Sequence, residues 1–185
     1  VTDSTYPRLT VSGLECAEVD SRRNNMTNVG ERTNVAGSRK FARLIASKCY
    51  DEALRVAAYQ IEGGADIIDI NMDDALLDPV AEMRDFLRHL SGDPSVARAA
   101  LMIDSSRFDA ILAGLKNAQG KCIVNSISLK EGEAVFLSHA EEIRRLGAAV
   151  VVMAFDEEGQ ATDYGRKISI CSRAWHLLTE KAGFD

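Results

Sequence analysis

Two apolar runs in this chain end on a polar residue where a buried strand would ordinarily stay apolar: Asp104 in LMIDSSRF and Asn125 in KCIVNSIS. A carboxylate held at such a strand end can accept two parallel hydrogen bonds from a guanidine-shaped N–H edge, the edge that pterins and guanine-like rings carry. An amide can donate and accept, so it can read a neighbouring pair of ring atoms. The pattern is wider than these two residues. Glu31, Asp69 with Asn71, Asp104, Asn125 and Asp156 stand at or just past the ends of five successive apolar runs. Turn chemistry accounts for any one of them, because Asp and Asn side chains bond the N–H groups that open the next helix. At Asp104 and Asn125 the serines that follow can do that capping, which leaves both side chains for a pocket.

GERTNVAGSRKF adds Glu31 and Asn34 on a loop, then Gly37, Ser38 and Arg39 at a helix start. Free backbone N–H groups beside a guanidinium favour an anion or a carbonyl group. The competing reading makes Ser38 a plain N-cap and Arg39 a solvated surface residue. His89, His139 and His176 each fall opposite the apolar stripe of a different helix and are expected in solvent. HExxH, P-loop and GxSxG patterns are absent from the sequence, so zinc hydrolysis and phosphoryl transfer lose support.

The elements that must hold these residues alternate strand and helix. TNVGE, ADIIDIN, ALMID, KCIVNSI and AAVVVMAF read as strands, and their near-continuous apolar character suits parallel strands covered on both faces. Between them run amphipathic helices. Asp78-Pro79 offers a cap and a first-turn proline ahead of Val80, Met83, Leu87 and Leu90. Phe108, Ile111, Leu115 and Ala118 form a second stripe, and Phe136, Ala140, Ile143 and Leu146 a third that ends at Gly147. A last stripe is Ile168, Cys171, Trp175 and Leu178. Hairpin signals are not apparent between strands, so right-handed crossovers and a parallel sheet follow. An open doubly wound sheet gathers ligand groups at one switch point. Polar residues at every strand end instead suit a (β/α)8 TIM-type barrel, whose strand ends ring a single pocket. Such a barrel needs eight strands and roughly 250 residues, so the expectation is its first five β/α units. Residues 1–26 show no period and read as a leader or linker; residues 27–185 read as the domain, incomplete at its C-terminus.

A length of 185 residues, 46% hydrophobic and 27% charged, allows a buried core and argues against disorder. The net charge of −6 disfavours a nucleic-acid partner, which calls for clustered Lys and Arg. Apolar runs fall short of the roughly 20 residues that cross a bilayer, so no membrane association is expected and a cytoplasmic location is. Cys16, Cys49, Cys122 and Cys171 are scattered without CxxC pairing and are expected to be reduced and structural.

Taken together, NVGERTNVAGSRKFARLI, DIIDINMDDALLD, MIDSS, GKCIVNSISLKEGE and AAVVVMAFDEEGQA closely resemble the pterin-binding (folate) domain of cobalamin-dependent methionine synthases, from about Ser12 onward. The resemblance implies a (β/α)8 barrel that binds 5-methyltetrahydrofolate and presents its N5 methyl group to cob(I)alamin in methionine synthesis from homocysteine. By motif it implies that Asp104 and Asn125 hold the pterin ring and that Gly37, Ser38 and Arg39 belong to a folate-contacting loop. Glu31, Asn34, Asp69 and Asn71 then line the pocket. Cobalamin and zinc enter only through other domains, homocysteine-binding and cobalamin-binding, whose motifs this chain lacks, so it is not expected to complete the reaction by itself. A dihydropteroate synthase-like pterin enzyme and a non-catalytic folate-binding fragment remain alternatives.

Overall fold

Ile67, Ile68 and Ile70 in one apolar run, and Ala100, Leu101 and Ile103 in the next, are all buried, as strands covered on both faces require. The computed structural model describes residues 9–20 and 26–185. Its elements are β1 (Leu9–Ser12), β2 (Cys16–Val19), β3 (Val29–Asn34), α1 (Arg39–Ala46), α2 (Tyr50–Glu62), β4 (Ile67–Asn71), α3 (Pro79–Leu90), α4 (Pro94–Ala97), β5 (Ala100–Asp104), α5 (Phe108–Asn117), β6 (Ile123–Ile127), α6 (Glu133–Arg145), β7 (Ala149–Val152), β8 (Phe155–Asp156), β9 (Gly159–Gln160) and α7 (Tyr164–His176). The fold is α/β, with a five-stranded parallel sheet in the sequential order β3-β4-β5-β6-β7 of a partial TIM-type barrel. Two compact units divide the chain, residues 1–123 and 124–185.

In the first unit β4 lies between β3 and β5, parallel to both. Helix α5 sits directly on β5, because a Cβ added at Gly114 would come 2.5 Å from Ile103 Cγ2. Ile103 therefore points to the helical layer, and so does its register partner Ile70. The next pair, Asn71 and Asp104, closes both strands and points to the opposite face, since side chains alternate along a strand. Helix α3 begins as its sequence suggests: Asp78 accepts from the N–H groups of Val80 and Ala81, and Pro79 occupies the first turn. Met83, Leu87 and Leu90 are buried with Phe86, whose ring meets Phe41 of α1 edge-on at 5.4 Å between centroids. Glu82 is buried on the same helix and is held by Lys48 and by the Tyr50 hydroxyl. Burial pushes the Cys122 thiol up to about 11. All four cysteines are free, Cys122 buried and Cys16, Cys49 and Cys171 exposed.

Residues 9–19 carry regular structure where the sequence shows no period. β1 and β2 form an antiparallel hairpin; the residues of the expected leader numbered 1–8 and 21–25 lie outside the described ones. The hairpin docks by backbone rather than by an apolar stripe, which is why periodicity does not reveal it. Ser12 N–H donates to the Lys121 carbonyl, Leu14 N–H to Ala97 and Glu15 N–H to Arg98.

The second unit contains most of β6, then a 3-10 turn at Leu129–Glu131, α6, β7, the β8–β9 hairpin and α7, which runs on into a π-helical turn at Leu177–Ala182. Phe136, Ala140 and Ile143 of α6 are buried as expected, and Gly147 closes that helix with φ +77°. Two expectations need correction. The run AAVVVMAF is split: β7 stops at Val152, and Phe155–Asp156 pairs back on Gly159–Gln160, whose Gly159 sits at φ +108°. On α7 the buried residues are Ile170 and Ala174, continued by Leu177 and Leu178 on the π-helical turn, whereas Ile168 and Trp175 are 51% and 59% exposed. Arg173, on the flank of the buried stripe, donates in fork geometry to Glu157 and through Nε to Glu133.

Candidate functional site

The row of polar side chains at the C-terminal ends of β3, β4 and β5 depends on a bulge. Gly30 pairs with Ile68 and Thr33 with Ile70, so Glu31 and Arg32 together stand opposite Asp69. One extra residue reverses the in-out phase of a strand. That reversal puts Asn34 in register with Asn71 and on its face, so Asn34, Asn71 and Asp104 form one line across three neighbouring strands. Gln60 of α2 supports the bulge: its Oε1 accepts the Arg32 N–H at 2.6 Å, and its Nε2 donates to the Thr33 hydroxyl and to the Val56 carbonyl. Gln60→Leu is therefore expected to cost about 1–2 kcal/mol in urea unfolding, the usual loss for a backbone donor left without its partner. It should also shift the Asn34 amide resonances in 15N–1H spectra, because the bulge sets the face on which Asn34 stands.

Each member of the row is held by its loop. Asn34, 7% exposed, accepts the Gly37 N–H on Oδ1 at 2.9 Å and leaves Nδ2 without a hydrogen-bond partner among the described residues. Asn71, also 7% exposed, uses both ends of its amide: Oδ1 accepts the Asp73 N–H at 2.8 Å, and Nδ2 donates to Asp104 Oδ2 at 2.9 Å. Asp73 in turn accepts from the Ser105 hydroxyl at 2.6 Å and from the Ser106 N–H and hydroxyl at 2.6 and 2.8 Å. Asn71 is the one donor to Asp104 among the described residues. Burial raises the Asp104 carboxyl above its ordinary value; the Asn71 bond opposes this, and the charges of Asp73 and Glu31 add to it. A carboxylate so short of donors can accept further N–H groups.

The remaining sequence candidates divide. Asp69 is 2% exposed and lies beneath the row on the same face. Glu31 is exposed on the bulge. Ser38 caps α1 by accepting the Phe41 N–H at 3.3 Å, and Arg39 is exposed at the first residue of that helix. Gly37 is exposed between them. In the second unit Asn125 is half-buried on β6, with no side-chain hydrogen bond among the described residues. After Asp104, Ser105 Oγ accepts the Arg107 N–H in a turn ahead of α5, which carries no side-chain cap, so the expected serine cap is absent there; after Asn125, Ser128 Oγ caps the 3-10 turn through the Lys130 N–H. Asp156, in contrast, is engaged by Arg166 and by the Glu158 N–H. His89 and His176 are exposed; His139 is half-buried, and burial lowers its pKa.

Sequence reasoning missed Asp73, Ser105 as a tie between loops, and Gln60. An acid two residues past a strand end, as in NMDD, was a readable signal for Asp73. Gln60 carried none, because a helical glutamine reports nothing about the strand it supports.

No helix among the described residues is long and apolar enough to cross a membrane. The model of the family described as pterin binding enzyme matches residues 30–185. Among solved structures the chain is similar to GMP reductase from Trypanosoma brucei in complex with guanosine 5'-monophosphate, at 18% identity and a TM-score of 0.41, covering 66% of this chain and 26% of that one. The same enzyme with guanosine 5'-triphosphate gives 18% identity and a TM-score of 0.44, covering 66% of this chain and 30% of that one. The chain spans less than a third of the length of either structure.

Proposed function

The chain belongs to the pterin-binding enzyme family, and on that premise we propose that it binds 5-methyltetrahydrofolate and presents the N5 methyl group to cob(I)alamin carried by another domain of the same polypeptide. The observation that carries this reading is the Asp104 carboxylate, held on one oxygen by Asn71 and raised in pKa by burial. A pterin offers a ring N–H and an exocyclic amine side by side, the donor fork such a carboxylate lacks. Asn34 Nδ2 and the polar row beneath add orientation. The motif resemblance gives Asn125 a ring contact and places Gly37, Ser38 and Arg39 in a folate-contacting loop; within their own units these groups leave an uncommitted amide and an exposed guanidinium.

The chemistry divides between the domains. A tertiary amine leaves only when N5 carries positive charge, so methyl transfer needs a proton at N5 and a strong nucleophile. Cob(I)alamin would supply that nucleophile. The residues here bind and orient the ring, so that N5 and its methyl stand clear of Asp104 and face the acceptor. Homocysteine, zinc and cobalamin belong to the homocysteine- and cobalamin-binding domains of this reading, in the cytoplasm.

Titration of 5-methyltetrahydrofolate into the purified chain, followed by calorimetry, tests the proposal. Saturable binding is expected. Adding free cob(I)alamin and following methylcobalamin formation by absorbance then separates presentation of the methyl group from binding alone. A chain that takes up no reduced folate at all would remove the premise.

A further inference from the structure

We propose that Asp73 is a positioning residue for the pterin: by clasping the loops that follow β4 and β5, it locks the Asn71 amide and thereby decides which oxygen of Asp104 is left for the ligand. The proposal deepens the pterin-binding reading above and rests on it.

The clasp is built from one carboxylate. Asp73 Oδ1 takes the Ser105 hydroxyl at 2.6 Å, and Oδ2 takes the Ser106 N–H and hydroxyl at 2.6 and 2.8 Å. Ser105 is 4% exposed, so one of these bonds is made in a nearly dry setting, where it is stronger than in water. Fixed in this way, the Asp73 backbone N–H is aimed at Asn71 Oδ1. An amide has one accepting end and one donating end, and here both are used. Rotating Asn71 by half a turn would set its oxygen against the Asp104 carboxylate and its NH2 against the Asp73 N–H, two repulsive contacts in place of two bonds. Asn71 therefore holds Asp104 Oδ2 from one side, and Oδ1 with the remaining acceptor site of Oδ2 stays open to a pair of donors.

Specificity follows from this geometry. A ligand that presents two N–H groups needs the carboxylate in one plane and one rotamer, whereas a ligand with a single donor tolerates several. Loosening the clasp should penalise the first more than the second. Asp73 itself does not touch the ligand in this scheme; it acts through Asn71.

The test compares wild type with Asp73→Ala in the whole chain, using a tetrahydropterin and its analogue lacking the exocyclic 2-amino group, by calorimetry. We expect the affinity for the amino-bearing pterin to fall about tenfold, the scale of one charge-assisted hydrogen bond, while that for the deamino analogue changes less than about twofold. Equal losses for both ligands would show general damage to the loops and would overturn the proposal, as would no loss for either. A second readout needs no ligand. In 15N–1H spectra the two Asn71 side-chain protons should be dispersed and slow to exchange in wild type, and averaged in Asp73→Ala. Ser106→Ala, which removes one hydroxyl donor, should show the same change in part and serves if Asp73→Ala fails to fold. If wild type binds neither pterin, the functional reading falls; the Asn71 signals alone then decide the clasp, and protons unchanged in both variants would end it.

Discussion

Asp104→Asn should produce a protein that is more stable without ligand and much poorer at binding its ligand. The carboxyl is raised in pKa by burial and by the negative charges of Asp73 and Glu31. A carboxyl whose folded pKa lies above its unfolded value opposes folding when ionised. The opposition is present at neutral pH and is relieved as the pH falls through the folded pKa toward the unfolded value of about 3.9. An amide is neutral throughout, so the variant should melt higher than wild type at pH 7, and the difference should shrink on acidification. Binding moves the other way. The substituted amide would turn its oxygen to the Asn71 donor and present its own NH2 to the N–H edge of the pterin, donor against donor. The expected loss is about 1.5–3 kcal/mol, roughly 10- to 150-fold in affinity. Wild-type affinity should also decline with acid from a higher pH than an ordinary aspartate would set. Thermal melts at pH 7 and pH 4, with calorimetric titration of the pterin, check all three; a variant with lower melting temperature and unchanged affinity would mean that Asp104 is a structural acid.

Much of this arrangement is legible in the sequence because it is local. Strand ends announce themselves as an apolar run broken by a polar residue, and Asp104 with Asn71 follows from that rule. Helix starts are legible too, since Asp78 and Ser38 cap their own helices through bonds spanning three residues or fewer. What stays hidden is set by distant partners. The bulge that turns Asn34 toward Asn71 is supported by Gln60, 28 residues from Arg32 in sequence. On α7 and its π-helical turn two apolar stripes of helical spacing compete, and the sequence alone does not say that Ile170, Ala174, Leu177 and Leu178, rather than Ile168, Cys171 and Trp175, turn inward. Asp73 reads as one acid among several in NMDD until Ser105 and Ser106 are seen against it.

The hairpin gives the sharpest case of backbone docking, and it predicts a large effect from a single methyl group. At Gly13 an added Cβ would lie 2.2 Å from the Ala99 carbonyl oxygen and 2.4 Å from that of Ala97. Both are main-chain atoms, one at the end of α4 and one just ahead of β5, where no side chain can swing aside. Relief requires the turn to lift, which breaks the Leu14 and Glu15 bonds to Ala97 and Arg98 and uncovers Val11, now fully buried. Gly120 meets the same surface from the other side: its added Cβ would stand 2.1 Å from the Ser12 carbonyl oxygen, and its φ of +77° already disfavours a side chain. Gly13→Ala and Gly120→Ala are each expected to cost about 2–4 kcal/mol, lowering the melting temperature by roughly 5–15 °C. Because both substitutions break one dock, the double variant should lose little more than either single one, whereas independent sites would add. Urea unfolding of the three variants measures the coupling. Full additivity, or a cost at Gly13 below about 0.5 kcal/mol, the range of an ordinary surface change, would show that the hairpin is not part of the cooperative unit that holds Asp104 in place.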